Sequence, residues 1–407
     1  MAPKTKTSVF SMTPEQIVKP DSRQIFNKAT LILVCAALYF LAWTFLIPHP
    51  GLTQFKLDRA FKESPDAPYY SEGFATYAST LIVHAATITA TEHELVTYWY
   101  GGTDEGAGDV QVFQASFTNN NWSNARAVVG PEKVQNDLSR FVRKVGNPAV
   151  LYWPDGRTWL FFVSVSVGGW GGSAINLLES QDGGVTWGKV RRLITSPFLN
   201  LSTLVRNSPV LYTDGSIGLP VYHEFLGKFG EILRIDANGR ILGKVRLSNG
   251  KHSLQPVIIP TSQTMAIGLM RYAGTPPMRL LQFKTTDGGN SWSAASKLRV
   301  QNPNSAVDAI HIGDGRILAA LNNTTMSRAS LHLAISSLGQ DWNIFHELET
   351  EDVSPVSHTY EFSYPSITRD KDGMFHLLYS WNQSHIKHVS FNEAWLNEKL
   401  AASHSPW

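Results

Sequence analysis

The residues best suited to binding and chemistry stand where apolar segments of this chain begin and end. Six apolar runs start from polar or small residues, in the segments His84-Ala85-Ala86-Thr87, Asn147-Pro148-Ala149-Val150, Asn207-Ser208-Pro209-Val210, Gln255-Pro256-Val257-Ile258, Asn304-Ser305-Ala306-Val307 and Tyr364-Pro365-Ser366-Ile367. The second apolar runs end in polar and aromatic residues, at 100–105, 168–170, 222–224, 270–272, 322–323 and 381–382. Because the interior of a β protein is normally apolar, this recurrence predicts one polar and aromatic opening. Asn147, Asn207 and Gln255 are candidates for binding a ligand there.

Other residues in these segments have a more specific chemistry. Arg206 and Arg271 are candidates for holding an anion, because a buried guanidinium otherwise requires an acidic partner. Trp170 stands among glycines and suits a platform on which a sugar ring stacks, or equally a lid over the core. His223 and Glu224 project to opposite faces of a strand, so only one can face the opening, and we favour Glu224.

A structural interpretation of the same residues stays open. Narrow channels through β proteins are lined by polar groups that bind water. His84 would then be a core histidine bonded to the backbone, Tyr364 a packed aromatic beside Pro365, and Asp104 a solvated residue of a glycine-rich loop.

The segments that position these residues form repeated units. Asp-Gly turns follow four of the six starts within about ten residues, at 155–156, 214–215, 314–315 and 372–373. A second apolar strand follows each turn. Each unit is therefore predicted to contain a strand, a tight turn and a second strand, followed by outer strands with a weaker apolar pattern.

A second repeat lies on an outer turn of the units. Ser180-Gln181-Asp182-Gly183-Gly184-Val185-Thr186-Trp187 recurs in type as Thr285-Thr286-Asp287-Gly288-Gly289-Asn290-Ser291-Trp292, and the segments 116–122 and 336–342 keep parts of it. The Asp caps the amides of its own turn, Gly supplies positive φ and Trp packs beneath. A period of roughly 50 residues with strand content predicts radial blades. We therefore predict an all-β, six-bladed propeller over 70–395, in which residues near 70 to 80 complete the last blade.

Composition excludes several classes of function. The chain has 407 residues, 43% of them hydrophobic, and a net charge of +2 without a dense basic tract, which argues against nucleic acid as a partner. Its single cysteine, Cys35, allows neither an internal disulfide nor a thiolate metal site. No motif for a nucleotide, a metal or another cofactor is present, so we predict none.

An uncharged segment near the N-terminus indicates a membrane anchor. Residues 29–47 carry no charge and suffice for a transmembrane helix, with positive residues before them. The alternative is a cleaved signal peptide, which the long leader and the missing cleavage site disfavour. We thus expect a cytoplasmic tail at 1–28, a linker at 48–69, an exported propeller and a C-terminal tail at 396–407.

With its Asp boxes, the chain resembles the sialidase (neuraminidase) superfamily, and in particular its bacterial branch of predicted sialidases with BNR repeats. The resemblance covers roughly residues 75 to 395. It depends on the two Asp boxes, which are specific for the architecture only, and on further runs at 101–105, 221–225, 361–365 and 386–389.

The resemblance implies a set of catalytic residues. Sialidases use a Tyr nucleophile paired with a Glu and an Asp acid/base, because a neutral Tyr is not repelled by the substrate carboxylate. Position by position, Tyr364 is the nucleophile, Glu224 or Glu361 is its base and Asp104 is the acid/base.

The resemblance also implies three arginines that clamp the substrate carboxylate. Arg206 and Arg271 fit that role and Arg143 is a third candidate. His84 stands where the superfamily has its first arginine and is a further catalytic candidate.

These observations favour an exo-acting glycoside hydrolase on an acidic sugar of a glycan or exopolysaccharide. The alternatives are a polysaccharide lyase and a non-catalytic glycan-binding propeller in an envelope polysaccharide assembly. The incomplete arginine set favours the binding protein.

Overall fold

The computed structural model describes residues 22–46, 53–57, 67–76, 80–196, 200, 202–248, 250–350 and 360–403. Contacts divide the chain into two units, residues 1–47 and 48–407.

The first unit contains helix α1 (Ser22–Leu46). Within the described ranges, no helix is long and apolar enough to cross a membrane. The span predicted at 29–47 from its lack of charge is therefore not supported, and the exported location inferred from it stays a prediction. Ile47 and the tail up to residue 21 lie outside the described residues.

The second unit is a six-bladed β-propeller, which confirms the predicted all-β fold. Its first strand is β1 (Tyr70–Phe74). Blade 1 contains β2 (Ile82–Ala90), β3 (Leu95–Gly102), β4 (Gln111–Thr118), β5 (Asn121–Trp122) and β6 (Arg126–Val129), and helix α2 (Pro131–Leu138) follows it. Blade 2 contains β7 (Lys144–Tyr152), β8 (Thr158–Val165), β9 (Ser173–Ser180) and β10 (Arg191–Arg192). Blade 3 contains β11 (Leu204–Val205), β12 (Val210–Leu211), β13 (Ile217–His223), β14 (Phe229–Ile235) and β15 (Ile241–Arg246).

The remaining blades repeat this order. Blade 4 contains β16 (Ser253–Pro260), β17 (Ala266–Tyr272), β18 (Arg279–Thr285) and β19 (Ser296–Gln301). Blade 5 contains β20 (Asp308–Gly313), β21 (Arg316–Leu321), β22 (Ser330–Ser337) and β23 (Gln340–Thr350). Blade 6 contains β24 (Phe362–Arg369), β25 (Phe375–Trp381) and β26 (His385–Phe391), and helix α3 (Glu393–Ser403) follows. The second strands are rich in aliphatic and aromatic residues because neighbouring blades cover both of their faces; β8 is buried along its whole length.

Strand β1 closes the ring. It pairs antiparallel with β26, from Tyr70 opposite Phe391 to Phe74 opposite Lys387, and so forms the outer strand of blade 6. The prediction that residues near 70 to 80 complete the last blade is thus confirmed for 70–74. Pairing the two ends of the propeller removes the gap that a ring of separate sheets would leave between its first and last blades.

The Asp boxes lie on the turns between third and fourth strands, as predicted. In blade 2, the Asp182 carboxylate accepts hydrogen bonds from the Thr186 amide at 2.8 Å and the Thr186 hydroxyl at 2.6 Å. In blade 4, Asp287 accepts the same two bonds from Ser291 at 3.0 and 2.5 Å. The turns are therefore held locally, at the opposite end of the blades from the polar segment starts.

A short N-terminal segment packs against that end of the propeller. Phe55 is fully buried and stacks on Tyr212, with 5.0 Å between the ring centroids. The Thr53 hydroxyl donates to the carbonyl of Gly288, in the blade 4 Asp box, at 2.7 Å. Residues 53–57 thereby bridge blades 3 and 4.

The polar starts of the inner strands are β-bulges. In blades 1, 2, 4 and 6, two residues of the inner strand face one residue of its neighbour, and the first of the two has positive φ. These first residues are Ala85 (φ 53°), Asn147 (φ 47°), Gln255 (φ 52°) and Tyr364 (φ 55°). A bulge redirects a side chain relative to the regular pleat. The segments that the sequence marked as polar starts are therefore the places where the inner strands bend at the mouth of the ring.

Candidate active site

Tyr364 stands at the bulge of β24, where side chains from several blades meet. The His84 ring lies edge-on to the Tyr364 ring at a centroid distance of 4.5 Å. The guanidinium carbons of Arg206 and Arg328 lie 5.2 and 5.8 Å from the centroid of the same ring. A half-buried phenol is thus surrounded by one imidazole and two guanidinium groups from other blades.

Glu361 pairs with Arg328 beside this phenol. Arg328 Nη1 lies 2.7 Å from Glu361 Oε1, and Gln383 Nε2 donates to Glu361 Oε2 at 2.6 Å. Burial alone would raise the pKa of Glu361, but His84, Gln383 and Arg328 together hold this pKa well below its usual range. Glu361 is therefore ionised at neutral pH, and each of its oxygens has a partner.

His84 is a buried neutral imidazole. Its Nδ1 has no hydrogen-bond partner among the described residues. Burial lowers the pKa of His84 to about 4, and the charges of Arg328 and Arg206 act in the same direction against Glu361. At neutral pH His84 consequently carries no charge and does not replace an arginine electrostatically.

Arg206 lies beneath the mouth instead of at its surface. Its exposed fraction is 1%, and its Nη2 donates to the carbonyl of Pro365 at 3.0 Å. Burial lowers the pKa of Arg206, against the opposing charge of Asp308. Arg206 thus comes near Tyr364, as the sequence analysis required, but from below.

Arg271 belongs to a hydrogen-bonded chain that runs round the mouth. Its Nε donates to Asn304 Oδ1 at 2.6 Å and its Nη1 to Gln255 Oε1 at 3.1 Å. The Tyr222 hydroxyl accepts bonds from Gln255 Nε2 at 3.4 Å and Asn147 Nδ2 at 3.1 Å. Blades 2, 3, 4 and 5 therefore each contribute a polar group to one continuous array.

The two members of the pair at 223 and 224 have different partners, as the alternation of a strand predicts. His223 Nε2 lies 2.7 Å from Glu231 Oε2, and its ring stacks on Phe229, so His223 does not join the array. Burial raises the pKa of Glu224, and the charge of Arg271 is the largest effect that opposes this rise. Glu224 is thus the member of the pair that lies near the mouth.

Asp104 and Arg143 are not brought into the cluster. Asp104 is exposed and its Oδ1 accepts the amide of Glu105 at 2.7 Å. Arg143 is exposed and lines a separate cavity of about 530 Å³ with Asp109 and Phe141. Neither residue has a contact with Tyr364 in the part of the chain that the structure describes.

The two remaining predicted residues pack at the edge of the site or below it. Asn207 is buried and its Nδ2 donates to the carbonyl of Pro256 at 2.9 Å, which joins the inner strands of blades 3 and 4. Trp170 lies in a short 3₁₀ turn with Lys144 Nζ 3.9 Å from its ring centroid. A Cβ on Gly146 would meet this indole at 3.0 Å, so the ring covers the bulge of blade 2.

Sequence reasoning missed residues that the fold brings to the mouth. They are Tyr100, Glu105, Tyr222, Asp308, Arg328 and Gln383. Burial raises the pKa of Tyr100 well above its usual range, and the negative charge of Glu105 adds to the effect. Tyr100 and Tyr222 stand at second-strand ends that the sequence analysis named, so their position was a usable signal. No signal in the sequence pointed to Arg328, because this residue lies in a loop several positions after the end of β21.

The arrangement suits an anionic ligand with hydroxyl groups. Arg271 and Arg328 supply cationic donors at the mouth, amides of Asn147 and Gln255 supply neutral ones, and Tyr364 supplies a phenol at the centre. A guanidinium binds carboxylate with two parallel bonds and tolerates partial burial. Among the described residues, no group of His, Cys, Asp and Glu has a geometry that could hold a metal ion.

Comparison with known proteins agrees with this architecture. The sequence model of the BNR repeat-like domain matches residues 93–377. A Hadza microbial sialidase is 14% identical over 78% of this chain and 68% of its own length, with a TM-score of 0.65. Trypanosoma rangeli sialidase is 14% identical over 83% of this chain and 61% of its own, with a TM-score of 0.64.

A third solved structure is matched over nearly its whole length. The intramolecular trans-sialidase from Ruminococcus gnavus is 13% identical over 80% of this chain and 96% of its own, with a TM-score of 0.61. Among curated protein sequences, no similar one is found. At such identities these structures show a shared fold alone.

Proposed function

The chain belongs to the family of BNR repeat-like domains within the sialidase-like propellers, and on that premise we propose that it is a glycoside hydrolase acting on an acidic sugar. The observation that carries the proposal is the position of Tyr364. Its backbone has a left-handed conformation (φ 55°), and its phenol ring lies beside the guanidinium groups of Arg206 and Arg328. Bulky residues in that conformation are rare, and such strain is concentrated at functional sites.

In the proposed mechanism, Arg271 and Arg328 bind the carboxylate of the sugar at the mouth. Tyr364 attacks the anomeric carbon as the glycosidic bond breaks, since a neutral phenol approaches next to a carboxylate without the repulsion that an anionic nucleophile would meet. Water then attacks the same carbon, which releases the sugar and restores the phenol. The guanidinium charge of Arg328 stabilises the phenolate character that develops during attack.

Glu224 is the better of the two candidate bases. Both oxygens of Glu361 already accept hydrogen bonds, from Arg328 and Gln383. The pKa of Glu224 is raised by burial, which brings it closer to the range in which a carboxylate exchanges protons at neutral pH. We therefore assign proton transfer to Glu224 and an electrostatic role to Glu361.

Protonation of the leaving group falls to the loop that carries Asp104 and Glu105. Glu105 is better placed than the predicted Asp104, because its charge acts on the phenol of Tyr100, whose ring contacts that of His84. We propose Glu105 as the acid, and the matched variants D104N and E105Q separate the two assignments: the greater loss of turnover identifies the acid.

One observation favours a second candidate function, a glycan-binding propeller without turnover. His84 is uncharged at the position where the sialidase superfamily has an arginine, and the guanidinium groups of Arg206, Arg271 and Arg328 all have protein partners. Such a site has fewer free hydrogen-bond donors for a carboxylate. It would bind an acidic glycan without distorting the sugar ring.

The experiment that decides between the two uses the purified chain with a panel of sialosides and uronosides. Turnover by the unchanged protein, reduced about 100-fold or more in Y364F while the sugar is still bound, supports the hydrolase. Y152F is the matched control, because Tyr152 lies at the other end of β7 and should leave turnover unchanged. Retention of glycans without turnover of any of them would establish the binding protein instead.

A further inference from the structure

Three consecutive residues after Tyr364 are held by three different blades. The carbonyl of Pro365 accepts a bond from Arg206 of blade 3 at 3.0 Å. The Ser366 hydroxyl accepts the amide of Ile88, in blade 1, at 3.3 Å. The amide of Ile367 donates to Asp308 Oδ2, in blade 5, at 2.9 Å. The inner strand of blade 6 is therefore fixed from across the ring as well as by its own sheet.

The geometry of Arg206 excludes the role that a substrate clamp would need. Blades 3 and 6 stand opposite each other in the ring, so the side chain crosses the central channel to reach Pro365. It is 1% exposed, and the residue that its guanidinium reaches is the one after Tyr364 in the chain. A carboxylate at the mouth would meet Arg271 and Arg328 first.

The neighbouring bulge of blade 4 has an equivalent bond. Its positive-φ residue is Gln255 and the next carbonyl, that of Pro256, accepts a bond from Asn207 Nδ2 at 2.9 Å. Arg206 and Asn207 are adjacent in sequence and hold the same backbone position of two different bulges. The longer side chain, that of Arg206, binds the bulge of blade 6 on the far side of the channel.

Tyr364 has the greater need of such support. Among residues other than Gly, left-handed backbone conformations are tolerated best by Asn and Asp, whereas an aromatic residue has a larger steric cost. The conformation persists only if surrounding contacts enforce it. Arg206 holds the backbone immediately after Tyr364, and Asp308 holds it two residues further on.

We propose that Arg206 and Asp308 are positioning residues that fix the bulge of β24 and with it the orientation of the Tyr364 phenol, and that Arg206 is not a ligand of the substrate carboxylate. This inference depends on the proposed function for its kinetic consequences only. Arg206 and Asp308 act through Tyr364 and touch neither the sugar nor the reacting atoms.

The test compares Arg206→Met with Arg271→Met. Met keeps the length of the arginine stem but leaves the Pro365 carbonyl without its donor. We expect R206M to lower kcat about tenfold or more with KM changed less than about threefold, and R271M to raise KM chiefly. In R206K, an ammonium group can still donate to Pro365, so part of the lost kcat should return. A rise of KM with unchanged kcat in R206M would overturn the proposal.

A crystal structure of each variant provides a readout that does not need turnover. In R206M the φ angle of Tyr364 should leave the left-handed region or its ring should take several orientations, whereas R271M should keep both as they are. If the unchanged chain hydrolyses no acidic sugar, the proposed function fails while this comparison still decides the inference. Should R206M not fold, D308A takes its place, because Ala cannot accept the amide of Ile367. An undisturbed Tyr364 in D308A would refute the positioning role, whereas R206K, which keeps a donor, should leave Tyr364 in place.

Discussion

At the scale of single residues, the site combines groups that local sequence identified with groups that it did not. Tyr364 and Arg271 were found because they stand at strand ends in the repeated units. Arg328 was not, although it approaches Tyr364 and pairs with Glu361 at 2.7 Å. Its contribution is therefore the one most in need of a measurement.

We predict that Arg328→Met weakens binding of an acidic monosaccharide about tenfold or more, because a charged hydrogen bond is worth roughly 1.5–3 kcal/mol. Titration calorimetry measures the dissociation constant directly. Arg279→Met is the matched control, since Arg279 begins the third strand of blade 4 and bonds the carbonyl of Arg299 there. Equal affinities of R328M and the unchanged chain would remove Arg328 from the carboxylate site.

At the scale of elements, the propeller depends on a short strand from the N-terminal side to close the ring. Asn392, after β26, accepts the amide of Tyr69 at 2.9 Å and that of Trp395 at 3.0 Å, and it donates to the carbonyl of Ala67 at 2.7 Å. This buried side chain joins the start of β1 to the start of α3. Backbone pairing of β1 and polar contacts of Asn392 thus stabilise the same closure.

Replacing Asn392 by Ala should lower the free energy of unfolding by about 2–3 kcal/mol, since three hydrogen bonds of a buried side chain, roughly 1 kcal/mol each, are lost. Urea unfolding followed by tryptophan fluorescence measures the change. Asn238→Ala, at an exposed turn in blade 3, should alter it by less than about 0.5 kcal/mol. Hydrogen exchange in 70–74 should rise in N392A alone, and equal protection in both variants would contradict the proposed role.

At the scale of the whole molecule, buried histidines make the fold sensitive to acid. Burial lowers the pKa of His84 to about 4, and burial together with His376 lowers that of His388 to about 3. His388 Nδ1 accepts a hydrogen bond from Trp122 Nε1 at 3.3 Å, and this bond joins blade 6 to blade 1. His388 Nε2 lies 3.1 Å from His376 Nδ1. An unfolded histidine takes up its proton near pH 6.5, whereas these two do so only at lower pH.

The free energy of unfolding should therefore fall as the pH decreases from about 6.5 towards 4, because the unfolded chain gains protons that the folded chain excludes. Asp308 and Glu224 act in the opposite direction, since burial raises the pKa of both carboxyl groups, that of Asp308 to about 6. Burial also lowers the pKa values of His332 and His346, which adds to the decline. In His388→Gln the decline should be less steep by about 1.4 kcal/mol per pH unit. Urea unfolding at pH 7, 6, 5 and 4 measures the pH dependence of the free energy of unfolding for the unchanged chain and for H388Q. The control N238A should have the same pH dependence as the unchanged chain. Equal pH dependences of H388Q and the unchanged chain would contradict the role assigned to His388.

The sequence by itself determined the repeated local structure of this protein. Asp boxes, Asp-Gly turns and bulge residues before proline depend on side chains that bond their own backbone or on φ values of single residues, and such features are encoded within a few positions. The second strands run apolar because neighbouring blades cover both of their faces, and that pattern is also visible in the sequence. Six blades, the closing strand and the face that carries the polar mouth all followed from these patterns.

Only the tertiary structure decided which polar groups lie at the mouth. Arg206 lies below Tyr364 and Arg328 lies beside it, because both positions depend on contacts between blades that are far apart in the chain. Arg206 and Pro365 are separated by 159 residues, and no local pattern specifies their 3.0 Å bond. Closure of the ring creates the site, since a propeller places on one axis residues that no single blade could bring together.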